Sequence, residues 1–330
     1  MTMSQCFLRL LVLPLAFALW LAPAARAGDY VLAIHGGAGG SRGDEAGDAA
    51  TRAGLARALA AGKAVLAQGG AARAAVVAAI QVMEDDPAFN AGRGAVLDAR
   101  GEAALDVSLM DGRDLAVGAA TGLRRVKNPI LLANLILERG PHVMYAGKGA
   151  EDFAHAQGMR LVKNAYFVTP QRRLELQRLR RARATPKTDK PGTVGAVALD
   201  TAGNLAAGTS TGGLAGKAYG RVGDSPIIGA GTYAANGVCA VSATGDGEYF
   251  IRATAARDIC ARIEFLKENA ATAAETVLNG KIKPLGGLGG VIVIDGAGGV
   301  AMPYNTGRMA RAVARAGAAF RIALYPEDGA

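Results

Sequence analysis

One peptide bond divides this chain into two characters. Ahead of it lies an arginine-studded stretch from Arg172 to Arg183, closing on Lys190-Pro191-Gly192. Beyond it, Val194-Gly195-Ala196-Val197-Ala198-Leu199 forms an apolar run bounded by Asp200 and Gly203, which reads as a buried strand. Thr193 stands on the boundary. Were the Gly192–Thr193 bond cut, Thr193 would become a new N-terminus on a rigid strand. It would then carry a nucleophilic hydroxyl together with its own base, an α-amine whose unperturbed pKa is about 7.7–8. A β-branched residue opening a strand also has an ordinary explanation in its fit to a pleated surface, so the decision rests on the rest of the chain.

Residues 1–27 read as a secretory signal peptide, with Arg9, an apolar run from Leu10 to Leu21, and an Ala-x-Ala site at Ala25-Arg26-Ala27. The run is shorter than the roughly 20 residues of a spanning helix. The expectation is therefore a protein secreted to a bacterial periplasm, with no membrane segment in its mature form. Losing Arg9 and Arg26 from 37 basic residues leaves a charge of +7 against 28 acidic ones. Much of that excess sits between Arg172 and Lys190, where no aromatic residue interleaves it. This argues against nucleic acid and for a solvated, partly helical linker. Cys239, in a predicted strand, and Cys260, in a predicted helix, read as two buried free thiols, although pairing is open to them in an oxidising compartment.

The pattern predicts a strand at Tyr30–Ile34 running into His35-Gly36-Gly37-Ala38-Gly39-Gly40, and helices over 44–67, 71–83, 128–139, with Asn128 as cap, and 148–157. Strands are predicted at 102–110 and 115–121, joined by Asp111-Gly112, and at 142–145. Residues 158–192 read as a mobile linker. After Thr193 come strands at 193–199, 204–209 and 238–244, helices over 248–269 and 271–278, and final strands at 290–294 and 300–302. Antiparallel strand clusters with helices in blocks indicate an α+β fold.

Three threonines fall at strand ends: Thr193, Thr211 and Thr244. Between the last two, Arg221 and Asp224 stand three apart in a glycine-flanked loop. Such a pair can clamp a carboxylate and an ammonium, the two ends of an amino acid, or can form a local surface ion pair. The glycines after the first strand lack the dinucleotide spacing. With three histidines and no His-x-x-x-His or His-Glu-x-x-His, a zinc site is excluded. The acids Glu84, Asp85 and Asp86 do not form a calcium loop, and no Gly-x-Ser-x-Gly elbow is present. A threonine hydrolase carrying its own base needs none of these.

The segments Gly192-Thr193-Val194-Gly195-Ala196-Val197-Ala198, Thr209-Ser210-Thr211-Gly212-Gly213, Gly220-Arg221-Val222-Gly223-Asp224-Ser225-Pro226 and Thr244-Gly245-Asp246-Gly247-Glu248 stand in one order and spacing. With His35-Gly36-Gly37-Ala38-Gly39, Phe89-Asn90-Ala91-Gly92 and Pro303-Tyr304-Asn305-Thr306, they make the chain resemble the plant-type L-asparaginases, also called isoaspartyl peptidases. The resemblance implies an N-terminal nucleophile hydrolase with a four-layer αββα sandwich. It implies self-cleavage at Gly192–Thr193 into an α subunit (28–192) and a β subunit (193–330) that share one domain, and a dimer of such pairs.

By position, the resemblance makes Thr193 the nucleophile and Thr211 the residue that orients it. Thr244 and the Gly245 N–H would form the oxyanion hole. Arg221 would hold the substrate α-carboxylate, Asp224 and the Gly247 carbonyl its α-amine, and Asn90 would support the nucleophile. Substrates would be L-asparagine and β-aspartyl dipeptides, with no organic cofactor. The loop 84–93 matches a structural sodium site of main-chain carbonyls, here Met83, Glu84, Asp86, Phe89, Ala91 and Arg93. Two departures stand out: Arg93 where an apolar residue is common, and Asp246 in place of the commoner uncharged residue, bringing negative charge near the amine pocket. The linker is expected to lie outside the active-site cleft. Two rivals remain: a glycosylasparaginase, disfavoured by the His35–Gly39 start, and a non-enzymatic periplasmic amino-acid-binding protein.

Overall fold

The computed structural model describes residues 29–40, 43–182 and 192–328. The predicted signal peptide and the stretch 183–191 of the linker lie outside the described residues. The elements run β1 (Val31–Ala38), α1 (Glu45–Ala67), α2 (Ala72–Asp85), β2 (Leu105–Asp111), β3 (Val117–Leu123), α3 (Pro129–Arg139), β4 (Met144–Ala146), α4 (Gly147–Ala156) and α5 (Pro170–Arg181). After the Gly192–Thr193 bond come β5 (Val194–Leu199), β6 (Leu205–Thr211), β7 (Thr232–Ala235), β8 (Cys239–Gly245), α6 (Gly247–Ala253), α7 (Ala255–Leu266) and α8 (Ala270–Val277). The chain ends with β9 (Gly289–Asp295), β10 (Val300–Ala301), β11 (Met309–Arg315) and β12 (Arg321–Ala323).

Two sheets result. Eight strands lie in the order β12-β11-β1-β5-β6-β2-β3-β4 and four in the order β10-β9-β8-β7. All neighbours are antiparallel except β3 and β4, which are parallel. The α+β reading is correct. Leu55, Leu59, Val76, Ile80 and Ile130 of α1–α3 pack on one face of the large sheet, against Leu32, Ile34, Val194 and Leu109. Val197, Ala207, Ala240, Ile292 and Ile294 fill the space between the sheets. Ile259, Ala273 and Val277 of α7 and α8 pack with Val241 and Val293 on the outer side of the small sheet. A strand with both faces covered reads as an unbroken apolar run rather than an alternation, which is why the segment after Thr193 looks uniform.

Several expectations need correction. The linker is ordered over much of its length: α5 opens on Thr169, whose side chain accepts from the Arg172 N–H, with Pro170 in the first turn. Arg172 and Leu176 are buried there. The helix expected over 248–269 breaks at Thr254, which adopts a left-handed conformation between α6 and α7. The strands at 290–294 and 300–302 are not the last, since β11 and β12 follow and β11 pairs with β1. Asn128 precedes α3 without capping it; its Nδ2 donates to Asp85 instead. Cys239 and Cys260 form a disulfide, with Cα atoms 5.6 Å apart, and are not free thiols. Strand β8 and helix α7 pack face to face, so two residues in different elements meet.

Candidate active site

Strand β5 starts at Val194, and Thr193 immediately before it has φ of 111°. For a β-branched residue this is a strained conformation costing about 1–3 kcal/mol. The hydroxyl of Thr193 donates to Thr211 Oγ1, 3.0 Å away at the end of β6, the neighbouring strand. The Thr211 oxygen also accepts from the Gly213 N–H at 2.9 Å. Asn90 fixes that turn: its Nδ2 donates to the Gly213 carbonyl and its main-chain carbonyl accepts from the Gly212 N–H. Its Oδ1 accepts from the Val96 N–H. Asn90 thus reaches Thr193 through the 211–213 turn rather than directly.

Thr244 is the last residue but one of β8, and its Oγ1 accepts from the Ala38 N–H at 3.1 Å. The next residue, Gly245, has φ of 144°, which only glycine adopts freely. Gly245, Ala38, Asn90, Thr193, Thr211, Arg221 and Asp224 line one cleft. Arg221 is held by Glu248, its Nε and Nη2 each 2.9 Å from a carboxylate oxygen. That contact holds the Glu248 carboxyl below the usual range. Arg221 and Asp224 are therefore not the surface pair that spacing alone allowed. Asp224 is buried, and burial pushes its carboxyl up to about 7, against the pull of its own main chain and of Arg221. A Cβ on Gly247 would lie 2.7 Å from Asp224 Oδ1, so Gly247 closes that pocket with main chain.

The linker does not lie clear of the cleft. Glu175 of α5 lines it, together with Gly192. Arg172 pins the helix there, its Nε donating to the Gly94 carbonyl at 2.7 Å and its Nη1 pairing with Glu175 at 2.8 Å. The free volume is about 30 Å³. That is one water's share of the liquid, against roughly 300 Å³ or more in a ligand pocket. Among the described residues the cleft is narrow, with Glu175 and Gly192 on its wall. The sequence offered a weak sign of α5 in Thr169-Pro170, a cap followed by proline, which the charge of the segment obscured.

Among the described residues there is no cluster of three or more His, Cys, Asp or Glu suited to a metal. The 83–93 loop offers a different donor set. Met83 and Glu84 occupy the last turn of α2, where the helix end is negative, and the Met83, Asp86 and Ala91 carbonyls accept from the Asp86, Phe89 and Gly94 N–H groups. The Asp86 carboxylate is taken by Arg57 and the Ala88 N–H, and the Arg93 guanidinium lies over Tyr166. Each carbonyl oxygen has a second lone pair, so main-chain oxygen is the donor type this loop could offer a hard monovalent cation. Asp246 turns away from a simple role at the amine pocket, its Oδ2 accepting from the Leu288 N–H at 3.0 Å.

A family described as asparaginase matches residues 28–324. This chain belongs to it. Among its relatives, the isoaspartyl peptidase of Escherichia coli K12 is 45% identical over 314 residues, covering 92% of this chain and 98% of that protein. The isoaspartyl peptidase/L-asparaginase of Xenopus laevis is 42% identical, over 86% of this chain and 92% of its own. The human protein of the same name is 39% identical, covering 90% and 97%. In this member of the asparaginase family, Thr193, Thr211, Arg221 and Asp224 line one cleft.

Proposed function

We propose that this chain cuts itself at Gly192–Thr193 and then hydrolyses the side-chain amide of L-asparagine and the isoaspartyl bond of β-aspartyl dipeptides. The observation that carries the reading is the Thr193–Thr211 hydroxyl contact in a cleft that also holds Arg221 and Asp224. In the first reaction Thr193 Oγ1 adds to the Gly192 carbonyl carbon, its hydroxyl proton passes to the departing Thr193 nitrogen, the C–N bond breaks, and the acyl group stays on oxygen as an ester. Water cleaves that ester and leaves a free α-amine on Thr193. The strain at Thr193 is released when its N is no longer tied to Gly192.

In the second reaction the amine takes the Thr193 hydroxyl proton as Oγ1 attacks the substrate's side-chain carbonyl. Charge develops on the carbonyl oxygen, where the Thr244 hydroxyl and the Gly245 N–H stabilise it. The amine returns its proton to the leaving ammonia or amino acid, and water releases aspartate from the ester. Arg221 grips the α-carboxylate, and ionised Asp224 with the Gly247 carbonyl grips the α-ammonium. The carbonyls of Met83, Glu84, Asp86, Phe89, Ala91 and Arg93 would hold a structural sodium ion. It would stiffen the loop that carries Asn90 and take no part in bond making.

The same reading gives a four-layer αββα sandwich of the N-terminal nucleophile type, working as a dimer of αβ pairs. Export to a periplasm goes with it, supported by the Cys239–Cys260 disulfide, since such bonds persist in oxidising compartments. The test is the intact mass of the incubated protein beside Thr193→Ala, with both assayed on L-asparagine, a β-aspartyl dipeptide and glycosylated asparagine. Two fragments meeting at Gly192 and Thr193, absent from the variant, with aspartate released from the first two substrates, are expected. A whole, inactive chain would reject the reading. Turnover of the glycosylated substrate alone would move it to the glycosylasparaginase branch.

A further inference from the structure

Among the described residues, one connected line of polar side chains crosses the core between the two sheets. His35, Gly195, Thr209 and Ser108 are register partners on four successive strands, β1, β5, β6 and β2. Opposite them, Thr232 and Ser242 are partners on β7 and β8 of the small sheet. All five polar side chains are fully buried, and they touch in sequence. His35 Nε2 lies 2.9 Å from Ser242 Oγ, which lies 2.7 Å from Thr209 Oγ1. Thr209 Oγ1 is 2.6 Å from Thr232 Oγ1, and that is 2.8 Å from Ser108 Oγ. Ser108 then donates to the Ser225 carbonyl at 2.6 Å.

Each end of this line is at the site. At one end the imidazole of His35 lies against the main chain of Thr193, and burial keeps it neutral, its pKa lowered to about 3. At the other end Ser225 follows Asp224 directly, in the loop that forms the ammonium pocket. Three strand spacings, about 14 Å, separate β1 from β2. Gly195 is part of the arrangement, since a Cβ there would overlap Ser242 Oγ and His35 Nε2. Five polar side chains in an inter-sheet core are costly unless paired; each of these has at least one hydrogen-bond partner, with His35 Nδ1 the atom left without one, and such a network fixes relative position more sharply than apolar contacts do.

We propose that this buried line is a positioning device, which registers the nucleophile of one strand end to the ammonium pocket on a separate loop. His35, Ser242, Thr209, Thr232 and Ser108 are its positioning residues, and none of them meets substrate. The proposal rests on the functional reading above, because it needs Thr193 and Asp224 to act on one molecule.

The test uses the full-length protein, followed through self-cleavage and then assayed once matured, with Ser242→Ala, Thr232→Val, the double variant, and Ser242→Thr. Rates of self-cleavage, kcat and KM for L-asparagine, and Tm are measured for each. Ser242→Ala and Thr232→Val should each lower kcat/KM about tenfold, although Thr232 does not line the cleft. The double variant should fall no more than about twofold further, because one break already frees the two ends. Ser242→Thr, which keeps the hydroxyl, should restore the rate. A device that only stabilises the core would lower Tm while kcat/KM stayed within twofold, and that result overturns the proposal. So does a multiplicative loss in the double variant. Should Ser242→Ala not fold, Thr232→Val decides by the same criterion. An unmodified chain that stays whole and inactive is a separate outcome, which removes the functional reading and this inference with it.

Discussion

The Thr193 hydroxyl donates to that of Thr211 across 3.0 Å, while the Gly213 N–H donates to the same Thr211 oxygen. Thr211 is thereby held by main chain, and on the proposed function it aims the Thr193 nucleophile. Thr211→Val keeps the shape and removes the acceptor. It should lower kcat about 10- to 100-fold, in the range of a lost positioned polar group, and Thr211→Ser should recover most of it. Steady-state kinetics on L-asparagine, with KM little changed, checks this.

Strain at the scissile bond can be read as stability. With φ of 111° at Thr193, an L-residue is penalised and glycine is not. On the proposed function neither Thr193→Gly nor Thr193→Ala cuts itself. The glycine variant should be more stable than the alanine variant by about 1 kcal/mol, in spite of its greater freedom when unfolded. Urea unfolding of the two uncut chains measures the difference.

Asp224 must be ionised to hold an ammonium, and burial has raised its carboxyl to about 7. Below that pH the group is neutral and the pocket loses its charge. KM for L-asparagine should therefore be about tenfold higher at pH 6 than its plateau above pH 8. The kcat profile will also carry the Thr193 amine, so the diagnostic is the separate KM profile. An Asp224→Asn variant should bind weakly at every pH, with no inflection near 7.

Glu175 of α5 and Gly192 line the cleft of the intact chain and narrow it. Uncut Thr193→Ala should bind L-aspartate at least 100-fold more weakly than the matured enzyme, by calorimetry. Arg172→Ala in that background removes the bond to the Gly94 carbonyl and the pair with Glu175, and should recover part of the affinity. Equal binding by cut and uncut chains would show that α5 does not close the site.

The disulfide joins residues 21 apart. Replacing Cys239 and Cys260 together by serine should lower stability by about 3 kcal/mol on the chain-entropy account. Reduced and oxidised forms compared in urea give the same quantity without mutation.

How much of this was legible beforehand follows from what each feature depends on. Thr193, Thr211, Arg221 and Asp224 could be named because local motifs carry them, with glycine and strand-end signals close by in sequence. Asp44, Pro129 and Gly203 likewise mark element boundaries by local chemistry. Helix α5 was misjudged because its arginines read as a solvated face, whereas Arg172 and Leu176 are buried by contacts with distant residues such as Gly94. The cysteine pair depends on β8 packing against α7, a relation no spacing encodes. β11 was missed because alternating arginines in Met309–Arg315 mask a strand that is buried over most of its length. His35 was seen as a motif, but its partner Ser242 lies 207 residues away.

The strand order has its own consequence for the cut chain. In the large sheet, β1 is hydrogen-bonded between β11 and β5, while β6 is bonded to β2. Residues from before and after Gly192 therefore alternate across one hydrogen-bonded surface, so that the two pieces are interlaced like fingers. Breaking one covalent bond would leave the sheet's ladder intact, and parting the pieces would mean tearing three strand interfaces at once. The two fragments should stay together at one-to-one stoichiometry through any native separation. Once unfolded, they would face refolding as a bimolecular event that the single chain never had to meet.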